Sequence, residues 1–209
     1  LYLSAPLLKF YHGDYSGIDS IKTLKKYGDF GLGTFDCLDG EMIVKDGVFY
    51  QVKADGVVCI CSDKDTAPYT QLAFFRSNMN CRLHMVLQFS DFEKWLDAQL
   101  PSLADNFAIR VTGTFKGMSV RSVRRQGQPF PALEEAIKSQ AIFELGDIEG
   151  TLIGFRLSSE FLDETNWPNY HFHFLSTDKK SGGHVLDYSI VGGLVEIMKL
   201  ESLKVGNTE

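Results

Sequence analysis

Between residues 29 and 60, apolar and polar positions alternate and glycines punctuate the run. A period of two is the signature of a half-buried β-strand. Asp46-Gly47, set between 42–44 and 48–52, is the sharpest of these turns, because an Asp-Gly pair flanked by alternation predicts a tight hairpin. Strand-like runs recur at 71–75, 82–89, 107–115, 150–157, 170–175, 184–191 and 194–200. The 16 Phe and 8 Tyr suit such a chain, since aromatic side chains pack well on a pleated surface.

Helices are few. Ile21 and Leu24 stand at helical spacing, with Asp19 or Ser20 as cap and Gly28 as stop, which predicts a short helix over 19–27. Ser90-Asp91-Phe92-Glu93 has capping-box spacing and opens a helix that carries Trp95 and Leu96 and stops before Pro101. Pro131 stands where a third helix begins, with Leu133, Ala136 and Ile137 as its apolar stripe. Helices scattered among strands without βαβ alternation indicate an α+β protein with mixed sheets. We expect two packed lobes, residues 1–126 and 127–209, divided within 127–146, with the histidine-rich segment in the second.

Charge narrows the partners. Lys and Arg number 21 against 27 Asp and Glu, a net −6 with pI about 5.4, which argues against nucleic acid or an anionic membrane. The longest apolar stretches, such as 57–60, fall far short of the roughly 18 residues of a membrane span. The expected compartment is the cytoplasm; because the first residue is Leu1 rather than Met, secretion after removal of a signal peptide is the alternative. Cys37, Cys59, Cys61 and Cys81 form no Cys-x-x-Cys pair and read as thiols packed on strand faces.

Three of five histidines lie close together, in Tyr170-His171-Phe172-His173-Phe174 and Ser181-Gly182-Gly183-His184. On a strand, positions i and i+2 share a face, so His171 and His173 project together while Phe172 and Phe174 point away. The polar, Gly-rich stretch 176–183 reads as a hairpin turn whose returning strand brings His184 opposite the pair. Three converging imidazoles suit a catalytic zinc, which keeps a coordination position for water or substrate; iron, manganese, nickel and copper also accept imidazole. The competing interpretation is three unrelated histidines, one in the core and two on the surface. A cupin-like site would enlist Asp178 as well, but the turn composition around it favours a solvated or Asx-turn role. His12 and His84 have no such company.

Gly31-Leu32-Gly33-Thr34-Phe35, Leu38-Asp39-Gly40-Glu41, Val120-Arg121-Ser122-Val123, Gly150-Thr151-Leu152-Ile153-Gly154-Phe155, the paired-histidine segment and Ser181-Gly182-Gly183-His184-Val185-Leu186-Asp187 together, in this order, resemble the alpha-acetolactate decarboxylases. The resemblance runs from about residue 10 to the C-terminus. It implies a zinc enzyme converting the small molecule 2-acetolactate to acetoin and carbon dioxide, built as a homodimer of two-lobed subunits. It places the metal ligands on His171, His173 and His184, a catalytic glutamate on Glu41 and an active-site arginine on Arg121. For the family's further glutamate, near the C-terminus, two alternatives stand: Glu209 supplies it, or it belongs to a segment beyond the given sequence.

These residue types fit that reaction. Loss of carbon dioxide from a β-keto acid leaves an electron pair shared with the neighbouring oxygens, which positive charge stabilises. Arg121 would orient the departing carboxylate, and Glu41 would exchange protons with hydroxyl and carbon. Each also has a plainer role: a glutamate after Asp-Gly is often a solvated hairpin residue, and a basic cluster such as Lys116, Arg121, Arg124 and Arg125 is often a solvated face. Alternation puts Arg121 on the side of Val123 and opposite Arg124, which points it inward. A non-enzymatic metal-binding or small-ligand module on the same fold is the second hypothesis. Intact Glu41 and Arg121 favour the enzyme, because a purely structural zinc site needs four protein ligands and neither of these residues.

Overall fold

A computed structural model describes residues 1–158 and 169–206. The helices are α1 (Leu7–Tyr11), α2 (Ile21–Leu24), α3 (Phe89–Gln99) and α4 (Leu133–Ala136); the rest is mostly sheet, the α+β class expected from the sequence. Seven strands carry the architecture: β1 (Phe30–Thr34), β2 (Glu41–Lys45), β3 (Val48–Val52), β4 (Phe107–Ser122), β5 (Ala141–Arg156), β6 (Tyr170–Ser176) and β7 (Gly182–Lys199).

The first sheet runs Lys204–Val205, Tyr2–Leu3, Thr70–Ala73, β1, β2, β3, Val58–Ile60, and its one parallel pair is Tyr2–Leu3 with Lys204–Val205. Within it the Asp46-Gly47 hairpin forms as predicted, with Lys45 opposite Val48 and both turn residues at positive φ. That geometry matches the strand twist, and Asp and Gly tolerate it. In the second sheet β4 pairs with β5 and β7, and β6 pairs with both β5 and β7, so the four strands close on themselves. Met79–Leu83 and Leu87–Gln88 extend it along β7.

Several details differ from the sequence reading. The runs at 184–191 and 194–200 are one strand of 18 residues, because Gly192 and Gly193 interrupt side-chain alternation but not backbone pairing. β4 continues past Phe115 through the basic stretch to Ser122, with its register shifting between Phe115 and Ser119. α3 begins at Phe89 with Gln88 in the cap position and no side-chain cap bond, so the capping box at Ser90 is not made. Phe89 instead packs on Tyr188, with ring centroids 5.1 Å apart. α2 has the expected cap: Ser20 Oγ accepts from the Thr23 N–H at 3.3 Å.

Leu32, Ile43 and Val52 of the first sheet meet Ala108, Ile153 and Phe155 of the second in one apolar layer. The opposite face of the second sheet, with Phe107, Ile109, Val111, Phe172 and Phe174, is covered by Phe92 and Leu96 of α3. Fully burying a Phe or Leu side chain is worth about 1.5–3 kcal/mol, so these layers hold the sheets in register. The expected lobe boundary at 126/127 lies in the connection between β4 and β5, which are neighbours in one sheet; the chain passes from the first sheet to the second between Ala73 and Met79. All four cysteines are free and half-buried, and no helix among the described residues is long and apolar enough to cross a membrane.

Candidate functional site

β6 turns His171 and His173 towards the first sheet and Phe172 and Phe174 into the opposite core, as its alternation requires. The 176–183 turn returns the chain so that His184 on β7 pairs directly with His173. Gly183 makes that approach possible: its φ is +144°, and a Cβ there would lie 2.5 Å from the Arg121 carbonyl oxygen. His171 Nε2 lies 3.0 Å from His184 Nδ1, and one ligand atom from each of the three histidines falls within 4.8 Å of the others.

The donor set fits a metal ion. His171 and His173 are buried and His184 half-buried. Burial holds His171 and His184 well below the ordinary imidazole value, with the charges of His173 and then Arg121 adding at His171, and those of Arg121, His171 and His173 adding at His184; burial takes His173 down to about 3. All three are therefore neutral, the ligating form. His173 Nδ1 lies 2.8 Å from the Met42 carbonyl oxygen, which can only accept, so Nδ1 carries the proton and Nε2 keeps its lone pair. That Nε2 is buried and has no hydrogen-bond partner. A carbonyl that fixes the tautomer and leaves the other nitrogen unpaired is the usual arrangement behind a metal-ligating histidine.

Glu41 comes from the other sheet. It is the first residue of β2, 6% exposed, with Oε2 3.5 Å from His173 Nε2. Gly40 before it has a φ of +85°, and a Cβ there would meet the Val52 oxygen at 2.3 Å, so the Asp-Gly step is what admits the glutamate between β1 and β3. Burial pushes the Glu41 carboxyl up to about 7, against the Arg121 charge and the Val123 N–H, which both favour the anion. Arg121 is half-buried near the end of β4, while Arg124 and Arg125 are exposed; Arg125 pairs with Asp36 and Asp39.

The three histidines, Glu41 and Arg121 line one narrow cleft. Its apolar wall comes from Phe10 of α1, Leu38, Tyr69 and Val123, with Leu133 and Ile137 from the α4 segment. Phe10 and Tyr69 stack with centroids 5.1 Å apart, and Tyr11 hydrogen-bonds Glu134, joining α1 to α4. Asp178 is not among the groups that gather: its carboxylate accepts from Ser176 Oγ at 2.7 Å and from the Lys180 N–H, the Asx-turn role. Glu209 lies outside the described residues. Sequence reading missed the Met42 carbonyl, the aromatic wall and Gln140, whose side chain meets Arg121, because each reaches the site through register or sheet packing rather than through a local pattern.

A family model described as "Alpha-acetolactate decarboxylase" matches residues 1–208. The protein of that name from Methanosarcina mazei is 40% identical over 181 residues, which cover 87% of this chain but only 62% of that protein, less than two thirds of its length. Its namesake from Bacillus licheniformis is 36% identical over 211 residues, covering 100% of this chain and 83% of the relative. The crystal structure of alpha-acetolactate decarboxylase from Bacillus subtilis strain 168 superposes with a TM-score of 0.93 at 34% identity, over 99% of this chain and 89% of that one. Motifs, fold and a family match over residues 1–208 agree, and the chain belongs to the alpha-acetolactate decarboxylase family.

Proposed function

We propose that this protein catalyses the metal-dependent decarboxylation of 2-acetolactate to acetoin and carbon dioxide. The observation that carries the reading is the convergence, in one cleft, of three neutral imidazoles, a buried carboxyl raised to about 7 and an arginine. His171, His173 and His184 would hold the metal, and family resemblance supports zinc as the ion and a homodimer as the working form. A Lewis-acidic ion so held supplies positive charge beside the substrate oxygens, where negative charge develops as carbon dioxide leaves.

The chain's own groups do the rest. Arg121 binds and orients the substrate carboxylate with charge-assisted hydrogen bonds, placing the scissile C–C bond for cleavage. The bond breaks with its electron pair staying on the hydroxyl-bearing carbon, in conjugation with the ketone. Glu41, with a carboxyl that populates both forms near neutral pH, delivers a proton to that carbon from one face. The apolar wall of Phe10, Tyr69, Leu133 and Ile137 limits access of bulk water to the carbanionic carbon. A module that only held a ligand would have no need of the raised Glu41 carboxyl.

The test is acetoin formation by the purified protein given 2-acetolactate, before chelation, after it, and after zinc is restored. Acetoin that disappears on chelation and returns with zinc is the expected result. Zinc-loaded protein that forms no acetoin, or chelated protein that forms it at the full rate, would overturn the reading.

A further inference from the structure

Arg121 has a neighbour that the scheme above leaves unused. Gln140 closes the 3-10 turn Ile137–Ser139 just ahead of β5, with its N–H donating to the Ile137 oxygen at 3.1 Å. Arg121 lies opposite Ile142 across the β4–β5 pair, so Gln140, two residues earlier, is its diagonal neighbour, within reach of two long side chains. Arg121 Nη1 donates to Gln140 Oε1 at 2.8 Å. A guanidinium has only donors, so the amide must turn its oxygen this way. Arg121 Nε is buried and has no hydrogen-bond partner.

A guanidinium offers a carboxylate two-toothed edges, one formed by both Nη atoms and one by Nε with Nη2. Gln140 occupies Nη1. That bond uses one of the two N–H groups on Nη1 and leaves the side edge, Nε with Nη2, whole, and Nε is the donor that no protein atom satisfies. The chemistry of the partner matters as much as its position. A glutamate at 140 would accept the same bond while cancelling the charge and competing with an incoming anion; a neutral amide fixes the fork and leaves the whole charge on it.

We propose that Gln140 is a positioning residue that presents the Nε–Nη2 edge of Arg121 to the substrate carboxylate, and that its neutrality sets the preference for an anionic substrate. This rests on the reading of Arg121 as the carboxylate's partner. Gln140 touches Arg121, not the reacting atoms, so its effect is on binding the acid and on aligning it.

The experiment compares zinc-loaded wild type, Gln140→Glu, Gln140→Leu and Arg121→Ala. It measures steady-state kinetics and the binding of two probes that cannot decarboxylate, 2-hydroxy-2-methylbutanoate and its methyl ester. Gln140→Glu keeps the side-chain shape at a half-exposed position, so its fold is secure. The expected result is a KM raised about 10-fold or more in Gln140→Glu, the scale of one charged hydrogen bond, with carboxylate binding weakened and ester binding little changed. Gln140→Leu should lose more in kcat than in KM. Arg121→Ala should lose the carboxylate preference altogether. If Arg121→Ala loses it while both Gln140 variants bind the acid like wild type, or if Gln140→Glu weakens acid and ester equally, the role assigned to Gln140 is wrong. If Arg121→Ala keeps the carboxylate preference, the reading of Arg121 itself fails and the inference falls with it.

Discussion

Arg121 lies directly opposite His184 across the β4–β7 pair, and His184 in turn lies opposite His173 on β6. Directly opposed residues share a face of the sheet. A cation and two of the three imidazoles therefore stand in one transverse row set by backbone hydrogen bonds rather than by loops. Placement on paired strands costs little reorganisation when a ligand arrives, the condition that precise catalytic geometry requires.

Metal content tests the row first. His173→Ala removes the one imidazole whose tautomer is fixed by Met42, so zinc affinity should fall by more than the roughly 10–100-fold that loss of an outer hydrogen-bond partner costs. The fold should persist, because β6 remains paired on both sides. Elemental analysis and circular dichroism on one preparation decide it; stoichiometric zinc in the variant would remove His173 from the ligand set.

Arg121 should tolerate no simple replacement. Lys keeps the charge but loses the planar fork, so Arg121→Lys should lower kcat/KM by about 10–100-fold, and Arg121→Ala by more, with zinc content unchanged. Arg125→Ala breaks exposed ion pairs to Asp36 and Asp39, which are worth little, and should stay near wild-type activity, as should Arg124→Ala. A large loss at either exposed arginine, with Arg121→Lys fully active, would transfer the role.

Glu41→Gln should keep zinc and lose about two to four orders of magnitude in turnover, the usual contribution of a proton-transfer group. Loss of zinc along with activity would make Glu41 a ligand instead. A second measurement follows from its raised carboxyl. Folded metal-free protein holds this proton up to about 7, whereas the unfolded chain releases it near the ordinary 4.5. The stability contributed by that proton is complete below 4.5 and lost as pH rises through 7. Metal-free Glu41→Gln should therefore melt with wild type at pH 4 and above it at pH 8. Equal melting temperatures at pH 8 would mean that the carboxylate is not buried uncompensated.

Gly183→Ala tests the backbone approach behind His184. The left-handed φ and the 2.5 Å clash with the Arg121 oxygen should cost at least about 1–3 kcal/mol, read as a lower denaturation midpoint. Because the clash lies between the strands that carry Arg121 and His184, zinc affinity should fall with stability. A variant as stable and as well loaded as wild type would show that the strands are free to shift there.

Alternation and turn chemistry in the sequence determined the local geometry. Asp46-Gly47 specified its hairpin, residues 176–183 their turn, and His171 and His173 a common face away from Phe172 and Phe174. Those outcomes depend on neighbours a few residues apart, where period and turn type leave one answer. The tertiary structure alone decided what crosses between the sheets. Met42 and His173 meet although 131 residues separate them, Glu41 enters the histidine cluster from the opposite sheet, and Gln140 reaches Arg121 only through the β4–β5 register. Even β7 passes unbroken through Gly192-Gly193, because backbone pairing with β4 requires no side chain there. Such contacts follow from which faces bury their apolar layers together, and no window of local sequence contains both partners.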